Sequence, residues 1–177
     1  MATQSTAGVS EKKNELGALP EWDLSDLYPG RDSPALKRDL ETAAVEATAF
    51  AERYRGKLAS LSGEALGAAI KDYERLRETL DRVISYASLV YAGDMSDAEI
   101  GRFYQMMQER VTDIGTTVLF FTLELNKLED ADLAKKLKAP ALAHYGPWLR
   151  DVRVFRPHQL SDDLEKILHE KYVAGRA

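Results

Sequence analysis

SGEALGAAIKDYERLRETLDRVISYASLVYAGDMSDAEIGRFYQMMQERVTDIGTTVLFFTLELN, the stretch from Ser62 to Asn126, decides how this chain folds. Its first half sets Leu66, Ile70, Tyr73, Leu76, Leu80, Val83, Ile84, Ala87, Val90 and Tyr91 at helical spacing. Its second half carries Ile100, Tyr104, Met107, Val111, Ile114, Val118, Phe121 and Leu125, with steps of four and three alternating without a slip. That pattern puts a narrow apolar seam on a single helix. Between the halves lies Gly93-Asp94-Met95-Ser96, where Ser96 is expected to cap the second helix and Glu99 to complete a capping box. So short a connection makes the two helices antiparallel neighbours. At ~1.5 Å per residue each is roughly 45 Å long. The expected fold class is all-α: a long antiparallel helical hairpin with flanking helices.

Working outward toward the N-terminus, Ser33-Pro34 opens a helix with a capping residue followed by proline at the first position. Leu36, Leu40, Ala43, Ala44, Ala47, Phe50 and Tyr54 form its apolar face and Gly56 ends it; its many alanines predict close approach to a neighbouring helix. Ser60 or Ser62 starts the next helix. Before Ser33, Trp22, Leu24, Leu27 and Tyr28 crowd large apolar groups between Pro20 and Pro29. A piece this short cannot hold a helix alone, so it is expected to clamp the chain start across the long helices. Residues 1–19 are small, polar and unpatterned and read as a disordered tail, leaving residues 20–177 as a single all-helical domain.

Working outward the other way, Asp130 or Asp132 opens a short helix running to Lys138, and Pro140 stops it. A further piece carries Pro147 near its start, with Trp148, Val152 and Phe155 on one face, and Pro157 closes it. Ser161, Asp162 and Asp163 then cap a last helix whose face is Leu164, Ile167, Leu168 and Tyr172; that face is still regular near Ala177, as if the helix were truncated.

Composition narrows the function. The 177 residues are 45% hydrophobic and 30% charged with a formal net charge of -5, which disfavours a nucleic-acid partner, since phosphate recognition needs concentrated positive surface. There is no cysteine, which excludes disulfides and thiolate metal sites. No apolar run approaches the ~20 residues of a membrane-spanning helix.

A search for chemistry returns no catalytic set. Of His144, His158 and His169, none pairs with another at metal-ligand spacing. His169-Glu170-Lys171-Tyr172-Val173 begins like the zinc-protease pattern H-E-x-x-H, but Val173 stands where the second imidazole must be. Glu165 and His169 make no E-x-x-H pair for a di-metal bundle. The carboxylates Glu129, Asp130, Asp132, Asp162, Asp163 and Glu165 sit where helices begin and suit the positive helix end. Arg150, Arg153 and Arg156 recur on one face, more consistent with a solvated or acid-paired stripe than a ligand clamp. Tyr104, Met106 and Met107 read as helix core. No catalytic, cofactor-binding or metal residue is therefore assigned.

Three strings carry a resemblance. Leu19-Pro20-Glu21-Trp22-Asp23-Leu24-Ser25-Asp26-Leu27-Tyr28, then Ser85-Tyr86-Ala87-Ser88-Leu89 with Asp94, then His158-Gln159-Leu160-Ser161 with Glu165 resemble, in order and spacing, the start of the oligoendopeptidase F family. These are zinc metallopeptidases related to thimet oligopeptidase. The resemblance implies the N-terminal helical lobe of a larger cytoplasmic peptidase, one wall of a channel that admits short peptides. Zinc, the H-E-x-x-H motif and a glutamate ligand would lie in a C-terminal catalytic domain, so this chain alone is expected to hold no cofactor and to be inactive. Its implied partners are oligopeptide substrates and that catalytic domain, with no nucleic acid and no membrane. The alternative is a non-enzymatic helical interaction module, a homo-oligomer joined through exposed apolar surface.

Overall fold

The structure, a computed structural model, describes residues 22–175. The expected tail over residues 1–19 lies outside the described residues, as do Pro20 and Glu21. Helices α1 (Pro34–Tyr54), α2 (Gly63–Gly93), α3 (Ala98–Val118), α4 (Phe120–Lys127), α5 (Asp130–Lys136), α6 (Gly146–Arg153) and α7 (Asp162–Lys171) follow one another, with 3-10 turns at Leu58–Ser60, Pro140–Leu142, Arg156–His158 and Tyr172–Ala174. Among the described residues there is no strand, and the all-α fold class is the one expected.

Local chemistry explains the helix ends. Ser33 Oγ accepts from the Leu36 N–H at 3.2 Å and Pro34 fills the first position of α1. Gly56, at φ +75°, turns the chain after α1, in a region that side chains rarely occupy. Ser62 Oγ accepts from the Ala65 N–H at 3.2 Å to start α2. The 31 residues of α2 make a rod about 46 Å long. The cap of α3 differs from expectation: it is Asp97, whose carboxylate accepts from the Glu99 and Ile100 N–H groups. Ser96 instead donates its hydroxyl to Asp94 at 2.7 Å and belongs to the turn. A carboxylate at the positive helix end outbids a hydroxyl one residue earlier.

The α1, α2 and α3 helices pack on one another as a three-helix layer. Leu66, Leu80, Val83 and Ala87 of α2 are fully buried in it, with Ala43 and Ala47 of α1 and Val118 of α3 at 1% exposure. The second arm of the hairpin is not one helix. The ladder breaks at Leu119, whose N–H bonds to the Thr116 carbonyl, and α4 resumes at once. The break lets Phe121 reach inward, where its ring stacks on Tyr73 at 4.8 Å and meets Phe50 edge-on at 5.1 Å. Ile100 and Tyr104, expected in the seam, are half-buried, and Phe103 is the buried residue of that turn. Met106, read as core, is exposed; Met107 is the buried one.

The chain start is clamped by Tyr28 rather than by all four bulky residues. Tyr28 is 2% exposed, meets Tyr86 of α2 edge-on at 5.4 Å and donates its hydroxyl to Asp39 at 2.8 Å. Leu24 and Leu27 pack partly buried beside it, whereas Trp22 is 69% exposed. Helix α5 ends two residues before the expected Lys138. The segment after α5 crosses the start of α2 at close approach, so that a Cβ on Gly63 would stand 2.6 Å from Ala139 Cβ and one on Gly67 2.6 Å from Ala141 Cβ.

Candidate functional site

Helices α4, α6 and α7 enclose a cleft of about 660 Å³. Three ties set its shape. Arg153, at the end of α6, points its guanidinium back at the C-terminal end of α4: Nη1 donates to the Leu125 carbonyl at 2.6 Å and Nη2 to the Leu128 carbonyl at 2.8 Å. The Leu128 carbonyl lies past the helix end, the Leu125 carbonyl otherwise accepts from the Leu128 N–H at 3.3 Å, and a cation there also suits the dipole. The same side chain reaches Asp130 at the start of α5, where Arg156 Nη1 joins it at 2.9 Å. The hydrogen bond from Arg153, helped by the charge of Arg156, holds the Asp130 carboxyl below the usual range. The arginine stripe is thus split: Arg153 is a nearly buried structural clamp, Arg156 an acid-paired neighbour, and Arg150 an exposed side chain beside Asp151.

The second tie fixes α7. Ser161 caps it through the Leu164 N–H, Glu165 accepts from the Leu160 N–H at 2.8 Å, and Lys127 of α4 pairs with Asp162 at 2.7 Å. The third is His169, half-buried against Gly115 of α3; desolvation lowers its pKa below the ordinary imidazole value of 6.5, against the pull of the Thr112 carbonyl.

What these ties leave uncovered defines the site. Helix α7 has no buried residue. Phe155, Leu164, Ile167 and Tyr172 are each at least half exposed, and with Val154, Leu160 and Leu168 they gather most of the exposed large apolar side chains among the described residues into one stretch. The apolar face of α7 is therefore a surface, and His169 is the α7 side chain that meets Gly115 of α3. Within the cleft, Asn126 and Gln159 each keep a side-chain carbonyl oxygen buried with no hydrogen-bond partner. Gln159 Nε2 donates to the Leu123 carbonyl at 3.3 Å, which fixes the sense of that amide. Asn126 was not singled out in the sequence and Gln159 entered only as part of the His158–Glu165 string; the fold brings these residues, 33 apart in the chain, to one cavity wall.

On the other side of Trp148 runs a second groove, of about 780 Å³, between α2 and α6. Tyr145 donates to Glu74 across it at 2.8 Å, and burial pushes the Tyr73 hydroxyl pKa up.

The histidines do not meet. His144 is exposed with its ring edge-on to Tyr145, His158 is exposed at the cleft rim, and His169 faces α3. Among the described residues no group of three or more His, Cys, Asp or Glu side chains comes together to hold a metal ion. Val173, one turn beyond His169, offers no donor, so these residues do not fit a zinc site. Among the described residues no helix is long and apolar enough to cross a membrane.

Residues 124–177 match the family described as Oligopeptidase F. That interval holds most of the cleft lining, including Asn126 and Gln159, and it also contains Arg153 and all of α7. Over 156 residues, 88% of this chain, the sequence is 22% identical to an oligoendopeptidase F homolog of Borreliella burgdorferi. The match covers 26% of that relative, so the chain spans about a quarter of its length. No solved structure matches. The motifs at Trp22–Tyr28 and His158–Glu165, the all-helical fold and the two matches agree on one assignment: this chain is similar to the N-terminal region of oligopeptidase F.

Proposed function

We propose that this chain serves as the N-terminal, channel-wall lobe of a zinc-dependent cytoplasmic oligopeptidase. Residues 20–177 form the lobe and residues 1–19 a leader to it. The observation that carries this reading is the coincidence of the family match over residues 124–177 with the wall whose apolar face stands open. A wall needs shape and stiffness, and the 31-residue rod of α2 with α1 and α3 laid along it supplies both. In this reading peptide cleavage belongs to polypeptide outside these 177 residues, in keeping with the described residues, among which no group of side chains fits a zinc site. The test is direct. Purified chain incubated with zinc and a set of short quenched-fluorescence peptides is expected to bind no stoichiometric metal and to cleave none of them. Metal-dependent turnover by this chain alone would overturn the reading. The reading frame supplies an independent check, expected to continue past Ala177 into H-E-x-x-H.

A further inference from the structure

We infer that the cleft between α4, α6 and α7 seats an apolar helix of an oligopeptidase F-type polypeptide, one that presents hydrogen-bond donors to Asn126 and Gln159. This rests on the oligopeptidase F reading and adds the surface and the chemistry of what covers it. Two features of the cleft choose the occupant. Its walls are apolar: Trp148, Phe155 and Leu168 line it, and Leu164 and Ile167 continue the same face outside. An apolar patch of this kind is covered in a working protein, and a helix laying its own apolar face into a groove between helices is a recurrent way to cover it.

The amides make the demand more specific. Asn126 is 7% exposed and its side-chain oxygen has no donor; the same holds for the buried oxygen of Gln159. A buried acceptor without a donor is costly, and its burial is made good when a partner supplies N–H or O–H. A purely aliphatic helix would leave both oxygens stranded. The occupant therefore carries Asn, Gln, Ser, Thr, Trp or Arg among its apolar positions. Its source is argued from coverage: this chain spans a quarter of the Borreliella burgdorferi relative, and the other three quarters of that protein have no counterpart in it.

Overlapping fluorescent peptides tiled over those three quarters provide the probe, with binding to this chain read by anisotropy. Apolar helical peptides bearing such donors are expected to bind. Phe155→Asp and Leu168→Asp, at side chains already in contact with water, should lower that affinity at least about tenfold while leaving the circular dichroism unchanged. Val45→Asp, on the exposed side of α1, should leave affinity unchanged. Gln159→Leu should weaken a donor-bearing peptide and leave its donor-to-alanine counterpart unaffected. Three results would overturn the inference: no tiled peptide binding, binding indifferent to Phe155→Asp, or a dilution-resistant dimer that Phe155→Asp dissolves, which would make a second copy the occupant. Absent peptide binding together with a reading frame that runs into H-E-x-x-H would sink this surface and leave the peptidase-lobe role standing. Turnover by the chain alone would do the reverse.

Discussion

His169 on α7 rests on Gly115 of α3, its Nε2 only 3.2 Å from the point where a Cβ on Gly115 would stand. The imidazole is half-buried, and that nitrogen has no hydrogen-bond partner. Desolvation is the main cause of its lowered pKa; Arg77 of α2 adds to it, while the Thr112 carbonyl and Glu170 oppose it. The sign follows from the neutral form being the one that packs. The contact contributes fully above pH 6.5, the ordinary value, and is lost as pH falls through the depressed folded value. Protection of the α7 amides, with exchange rates normalised for their intrinsic pH dependence, is expected to fall between pH 7 and pH 5 while α2 stays protected. In His169→Phe the pH dependence should vanish. An imidazole that titrates by NMR at or above the ordinary value would contradict this.

Arg153 holds three elements with one side chain, so its loss should be felt globally. Arg153→Met keeps the stem but strands the Leu128 carbonyl and leaves the Leu125 carbonyl with the Leu128 N–H alone. Hydrogen bonds from a charged donor are worth about 1.5–3 kcal/mol each, and the two share one side chain, so an overall loss of about 2–4 kcal/mol is expected in urea denaturation. Arg150→Met, at an exposed pair, should stay within about 0.5 kcal/mol.

Two glycines of α2 should answer alanine in opposite ways. Gly67→Ala would drive a methyl to 2.6 Å from Ala141 Cβ and 2.9 Å from its carbonyl oxygen. Backbone cannot yield as a side-chain tip does, so a loss of about 1–3 kcal/mol is expected despite the better helix former. Gly93→Ala meets nothing within 4 Å and should be neutral or stabilising by up to about 1 kcal/mol. Thermal melts of the pair check both signs.

Tyr28 and Trp22 test the clamp. Tyr28→Phe keeps the ring on Tyr86 and loses only the bond to Asp39, for about 0.5–1.5 kcal/mol. Tyr28→Ala empties a buried site and should cost about 3–5 kcal/mol. Trp22→Ala, at a side chain mostly in water, should change stability by less than about 0.5 kcal/mol. Denaturation curves of the three variants order them.

The hairpin was legible because a 3.6-residue period repeated over many turns outweighs local noise, and Ser33, Ser62 and Ser161 were legible because N-capping is a one-residue chemistry. Asp97 was missed for the same locality: two good caps stood side by side, and the choice depended on which carboxylate the turn left free. The break at Leu119 has no glycine or proline to announce it and follows from where Phe121 must reach. Helix α7 misled differently. Its periodicity is real, but periodicity marks an apolar face without saying whether anything lies against it. Asn126 carries no motif and Gln159 enters the sequence only inside the His158–Glu165 string; the orphaned oxygens of both are created by burial alone.

The break at Leu119 also sets how force would travel through the molecule. Because α3 and α4 meet at a joint with one weakened backbone bond, a push on α7 reaches α3 through His169 and α4 through the Lys127–Asp162 pair by separate routes. The two routes act on different parts: the histidine contact bears on the body of α3, whereas the ion pair acts beyond the joint, on α4.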